Sequence, residues 1–259
     1  MGAVIGDREL SKFRREYYEL FSALFLREPP AALLILLGQN LEARIEAAAA
    51  LHPLLGEGWH AVGHFIKQDR EKPTALAATV AEEFTPLFVG PGVPQITPCE
   101  SFYLTGRLFG APLVLIRNFM RRVGLEKREE WPEPEDHIAF TCEIMRQLIL
   151  RQEAAVNPDE EARWLNLQGD FVKAHLSRWA PRFGQDVEKL AGTFYRGIGK
   201  MVRGFVELEG ELLADWGSET PKHLIQVKES SFKGPLFTPE TAEDPEEEPP
   251  SSSPQEEGD

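Results

Sequence analysis

The residues able to do chemistry gather in two short stretches. One runs Glu83-Phe84-Thr85-Pro86-Leu87-Phe88-Val89-Gly90-Pro91-Gly92 and continues through Pro98-Cys99-Glu100-Ser101-Phe102-Tyr103; the other is Glu133-Pro134-Glu135-Asp136-His137-Ile138. In the second, Pro134 suits a first helical turn, and Glu133, Glu135 and Asp136 oppose the positive end of the helix dipole. His137 then sits in that turn beside a carboxylate. The stretch reads in two ways: as a well-made helix start with a satisfied histidine, or as an anionic mouth with a titratable donor, suited to gripping a cationic peptide.

Other chemistries find less support. Gly199-Lys200 is followed by Met201 inside a helical pattern, so it lacks the strand-to-helix setting of a phosphate loop. His60 and His64 share a helix face with Glu57 upstream, but a carboxylate-bridged metal pair needs two Glu-x-x-His motifs, and only Glu57-Gly58-Trp59-His60 is present. The bland reading is a partly exposed amphipathic helix; the alternative is a helical metal-binding protein using His60 and His64. Ser101 lies outside any nucleophile elbow. Cys99 and Cys142 have neither disulfide-framework nor metal-ligand spacing, and read as ordinary thiols of a reducing compartment. No cofactor is implied.

A chain of 259 residues, 42% hydrophobic, can bury a substantial core. The net charge of −14 argues against general nucleic-acid binding, although residues 239–259 carry nine of the acids and no Lys or Arg. That segment, rich in Glu, Pro and Ser, reads as a disordered solubilising end; the alternative is a competitor for the groove that takes basic peptides. Arg14-Arg15 is followed by Glu16-Tyr17-Tyr18-Glu19 rather than an apolar leader core, and Arg27, Glu28, Pro29 and Pro30 interrupt the run Leu20–Leu37. A cytoplasmic protein without stable membrane insertion is expected.

Elsewhere the period is helical. Leu10, Phe13, Tyr17, Leu20, Phe21 and Leu24 mark a first helix from Asp7 to the Pro29-Pro30 stop. Short helices follow at 31–37 and 40–51. Pro53, Gly56 and Gly58 punctuate, Trp59–Arg70 is helical, and Pro73 opens a helix to about Val89 that Gly90-Pro91-Gly92 ends. Residues 93–110 form a loop with one helical turn after Ser101, and Pro112–Val123 is a helix closed by Gly124. A hinge-like connection at 126–136 separates an N-terminal helical half (1–125) from a C-terminal half (126–222), with a tail at 223–259. In the second half a helix is expected from about Pro134 to Ala155. Another carries Trp164 to Trp179 and is broken by Pro181 and Gly184. A long glycine-containing helix runs from Val187 to Leu208, its glycines offset by close packing. The fold class is all-α.

Taken together, Leu87–Gly92 with Pro98, Glu100, Ser101 and Tyr103, then Glu133–Ile138 with Glu143, Met145 and Leu148, then Phe171, His175-Leu176, Trp179-Ala180-Pro181, Phe183 and Phe194-Tyr195 resemble the TorD/DmsD/NarJ family of redox-enzyme maturation chaperones over roughly residues 10–210. The resemblance implies a TorD-like helical bundle without enzymatic turnover. It implies a partner that is a molybdopterin-containing oxidoreductase subunit or its twin-arginine leader. The family's Asp-His pair at the head of a helix maps onto Asp136 and His137, with the loop from Pro98 to Tyr103 in the same implied site. Some members form domain-swapped dimers, and weak guanine-nucleotide binding has been ascribed to some; nothing in this sequence independently supports the nucleotide. Cys99 sits where an aromatic or other residue is common in the family. On this reading Asp136, assisted by Glu100, attracts the arginines of a leader, His137 orients the acid or binds peptide backbone, and Phe84, Leu87, Phe88 and Tyr103 wall a groove that also includes Pro98 and Ser101. A scaffold that recruits cofactor-insertion machinery without leader binding remains the other non-enzymatic reading.

Overall fold

The computed structural model describes residues 3–4, 7–215 and 226–227. The acidic stretch 239–259 lies outside the described residues. Helices follow in the order α1 (Asp7–Leu26), α2 (Ala31–Leu37), α3 (Leu41–Leu51), α4 (Pro53–Gln68), α5 (Pro73–Phe84), α6 (Glu100–Thr105), α7 (Ala111–Val123), α8 (Ile138–Glu153), α9 (Pro158–Phe171), α10 (Ser177–Leu190) and α11 (Thr193–Asp215). Single π-turns, Thr85–Val89 and Val172–Leu176, extend α5 and join α9 to α10. Extended pairing among the described residues is confined to Ala3–Val4 against Gln226–Val227 and to one isolated bridge, Cys99 to His137. The all-α, TorD-like expectation is borne out. No helix among the described residues is long and apolar enough to cross a membrane.

α11 is the axis of the bundle, packed on α4 and α10, while α1 lies along α8. Its buried stripe of Phe194, Ile198, Met201, Phe205, Leu208 and Leu212 follows helical spacing. Phe205 stacks on Tyr17 at 5.1 Å and meets Tyr18 and Phe21 edge-on, an arrangement aromatic quadrupoles favour. The glycines let backbones touch. A Cβ on Gly199 would lie 2.6 Å from the Gly184 carbonyl, and one on Gly197 would lie 2.8 Å from the Gly58 carbonyl. Two helix crossings therefore sit closer than any larger residue permits.

A buried ion pair fastens α1 to α11. Arg14 Nε and Nη2 donate to Glu209 at 2.5 and 2.9 Å, and Tyr18 donates its hydroxyl to the same carboxylate at 2.8 Å. Arg15 bonds Glu153 of α8 at 3.1 Å. Both members of the Arg14-Arg15 pair thus act as structural contacts.

Three local expectations need correction. α4 begins at Pro53 and runs through Gly56 and Gly58, because Pro is compatible with a first helical turn and the glycines face Ala49 and Gly197 closely. α10 continues through Pro181 to Leu190, since Trp179, Phe183 and Val187 bury one face and offset the lost backbone bond. Val187 and Leu190 therefore belong to α10, and α11 starts only at Thr193, where Glu83 accepts the Phe194 and Tyr195 amides at 3.3 and 3.0 Å.

Candidate functional site

The two chemically dense stretches meet. The Glu100 amide donates to the Asp136 carbonyl at 2.9 Å, and the Ile138 amide donates to the Pro98 carbonyl at 2.8 Å, flanking the Cys99–His137 bridge. This pairing holds residues 133–137 out of the helix. The expected start at Pro134 is therefore corrected: α8 begins at Ile138, with His137 as its N-cap, and the acids precede the helix. His137 Nδ1 accepts the Ala139 amide at 3.1 Å, which requires that nitrogen to be unprotonated. Burial pushes the His137 pKa down to about 3, so the ring is neutral near pH 7.

Asp136 is 1% exposed. Its Oδ2 accepts the Ser101 amide at 3.0 Å, and its Oδ1 is buried without a hydrogen-bond donor. Ser101 in turn accepts the Gly110 amide on its hydroxyl at 3.1 Å, tying α6 to the start of α7. Glu135 is held by Arg117 of α7 in a two-pronged contact, 2.9 Å on each prong. Burial opposes ionisation of Glu135, yet the guanidinium holds its carboxyl below the usual range. Burial raises Glu133, partly offset by Lys127. Burial, reinforced by Asp136 and Glu133, raises the Cys99 thiol well above its ordinary range, so it is no ready nucleophile.

Glu100 is fully buried, and its carboxylate faces His175 Nδ1 at 2.9 Å. The π-turn between α9 and α10 brings His175 to that position. Sequence reasoning missed this pair: the partners are 75 residues apart and no spacing rule joins them.

The intended apolar wall lies largely in the interior. Phe84 and Leu87 are core side chains, Pro98 is buried, and half-buried Phe88 packs edge-on to Phe25 and Tyr195. Tyr103 is half-buried against Trp179, and its hydroxyl donates to Asp186 at 3.2 Å. The apolar surface beside the junction comes instead from Phe102, Leu108, Phe109, Val114 and Leu115 along the α6–α7 corner. Phe109 is 71% exposed and holds a φ of 58°, an unfavourable conformation for a bulky residue. His60 and His64 lie exposed on α4, and no group of three metal-binding side chains occurs among the described residues.

Bundle and junction together define a helical protein whose chemically rich segments are folded into one hydrogen-bonded unit. The chain belongs to the family described as nitrate reductase delta subunit, whose sequence pattern it matches over residues 46–185, in agreement with the TorD/NarJ resemblance. It is similar to the chaperone protein TorD of Aliivibrio fischeri, 27% identical over 138 residues, or 52% of this chain and 64% of that protein. The TorD of Aeromonas salmonicida is 29% identical over 133 residues, 51% and 57% of the two chains. These two matches span less than two thirds of the relatives' lengths. The TorD of Vibrio cholerae serotype O1 is 24% identical over 223 residues, 82% of this chain and 96% of that protein.

Proposed function

We propose that this protein is a non-enzymatic maturation chaperone that holds a molybdopterin-containing oxidoreductase, by its twin-arginine leader or its apo body, until the cofactor is inserted. The observation that carries the reading is the junction itself: a buried Asp136 with one acceptor oxygen free of any donor, beside the exposed apolar corner at Phe102, Leu108 and Phe109. A leader offers the matching pair of features. Its guanidinium groups seek a carboxylate, where a charge-assisted bond is stronger than a neutral one. Its apolar segment seeks a greasy surface on which to lie as a helix.

In this reading residues 101–103 move aside as the leader arrives, and Asp136 exchanges the Ser101 amide for a guanidinium. Glu133 and Asp186 at the periphery add attraction, and neutral His137 keeps the head of α8 fixed while Asp136 changes partner. Glu100 stays paired with His175 as the anchor of the moving segment. Binding needs no bond-breaking, and it belongs in the cytoplasm, where a leader is still attached. The naming of the relatives as chaperones supports this reading.

The test is a titration of a fluorescent twin-arginine leader peptide into wild type, Asp136→Ala and Phe109→Ser. Both variants should bind more weakly than wild type, and replacing the two arginines of the peptide by glutamines should weaken binding to wild type. Equal affinity across all three proteins, or none for any, would remove leader binding from the account.

A further inference from the structure

A groove of about 650 Å³ lies between α7 and the π-turn entering α10, sharing His175 with the α6–α8 junction. Leu115, Phe119 and Arg122 line one side, and Lys173, His175 and Arg178 the other. Arg122 lies over the Phe119 ring at 5.1 Å, and Arg178 donates to the Ala174 carbonyl of its own helical rod at 3.4 Å. Asp170 is the single acid in the lining. In a chain of net charge −14, this surface has the opposite sign. An arginine-bearing leader is repelled there, so the groove suits an acidic ligand.

Such a ligand is present in the same chain. Leu236-Phe237 precede nine acids between residues 239 and 259, with no Lys or Arg among them. A neighbouring groove of about 640 Å³ shares Asp170 and Lys173, and is lined by Gly210, Leu213 and Ala214 of the last turns of α11. α11 therefore ends beside the cationic groove. The chain then passes through the Gln226–Val227 strand paired with Ala3–Val4, and residues 228–235 provide up to about 30 Å of reach from there.

We propose that residues 236–259 dock in cis on this groove. Leu236 and Phe237 lie against Leu115 and Phe119, and the following carboxylates lie over Arg122, Lys173 and Arg178. The docked segment covers the outer side of His175, whose Nδ1 faces Glu100. This inference does not depend on leader binding, and its test uses no leader.

Full-length protein is treated with a water-soluble carbodiimide, which joins an amine and a touching carboxylate as an amide while the reagent takes up the released water. Peptide mapping should find Lys173 joined to a carboxylate of residues 240–259. In an equal mixture of ordinary and heavy-nitrogen protein, each joined pair should carry one isotope. Coupling should be lost in about 0.5 M sodium chloride, where exposed charges are screened within a few ångströms. It should also be lost in the double variant Arg122→Ser/Arg178→Ser, both exposed positions, with unchanged circular dichroism. The proposal is overturned if Lys173 does not couple to the tail, if coupling spreads evenly over Lys72, Lys189 and Lys173, if it survives salt and the double variant, or if the isotopes mix.

Discussion

Asp136 caps α6 from outside that helix: its carboxylate accepts the Ser101 amide at 3.0 Å. Its carbonyl takes the preceding amide, that of Glu100, at 2.9 Å. Cys99, the residue in the N-cap position, supplies no side-chain bond of its own. Two of the donors that a helix start leaves unpaired are thus satisfied by a residue from beyond α7.

Removing that cap should loosen α6 selectively. Asp136→Ala leaves the Ser101 amide without its acceptor and should cost about 1–2 kcal/mol, whereas Asp136→Asn keeps an oxygen for it and should recover most of the loss. Urea unfolding gives the magnitude, and amide hydrogen exchange gives the location. Unchanged exchange at Ser101 in Asp136→Ala would refute the capping role.

The His137 ring makes stability depend on pH. Its folded pKa, about 3, lies below the ordinary value of 6.5. Between those values the unfolded chain binds more protons, so this contribution is complete above about pH 6.5 and is lost as pH falls towards 3. Near pH 5 the loss should reach about 2 kcal/mol. His137→Asn retains an acceptor for the Ala139 amide but does not titrate, so its stability should fall less between pH 7 and pH 5. Parallel curves for the two proteins would contradict the assignment.

The Arg14–Glu209 pair predicts strong coupling between α1 and α11. Arg14→Met strands a buried carboxylate and should cost about 3–5 kcal/mol. Adding Glu209→Leu removes the stranded charge and should recover a large part of that, leaving Tyr18 without its acceptor. A double-mutant cycle from denaturant unfolding checks this; simple additivity would mean the pair is not coupled.

Two glycines of α11 should respond with opposite signs to the same change. A Cβ at Gly199 meets backbone at 2.6 Å, the Gly184 carbonyl, so Gly199→Ala should destabilise by about 1–3 kcal/mol. A Cβ at Gly210 meets only the Ser177 hydroxyl oxygen at 4.0 Å, so Gly210→Ala should stabilise by up to about 1 kcal/mol. Thermal melts of the two variants provide the comparison.

The helices were legible in the sequence wherever a face is buried at regular spacing, as in Phe13 to Leu24 of α1 or Phe194 to Leu208 of α11. Gly90 and Gly124 mark ends correctly because each adopts a positive φ. Pro181 misled because a local propensity was outweighed by the long-range burial of Trp179 and Phe183. The site was legible as two segments. Their backbone pairing was not, since it holds Glu133–His137 out of the helix that their composition favours. Glu100–His175 and Arg14–Glu209 were invisible for the same reason: only the fold brings the partners together. Sequence also made a wall of Phe84 and Leu87 without any means of telling an interior aromatic cluster from a surface one.

The π-turn at Val172–Leu176 carries a consequence for how this chain can vary. It holds one more residue than an α-helical turn does, and α10 inherits its rotational phase from that extra residue. Deleting any residue between 172 and 176 would turn everything downstream by about a quarter of a revolution. Trp179, Phe183 and Val187 would swing off α11, and His175 off Glu100. Amino-acid exchanges within these five positions are local events; a change in their number would misalign the whole C-terminal rod.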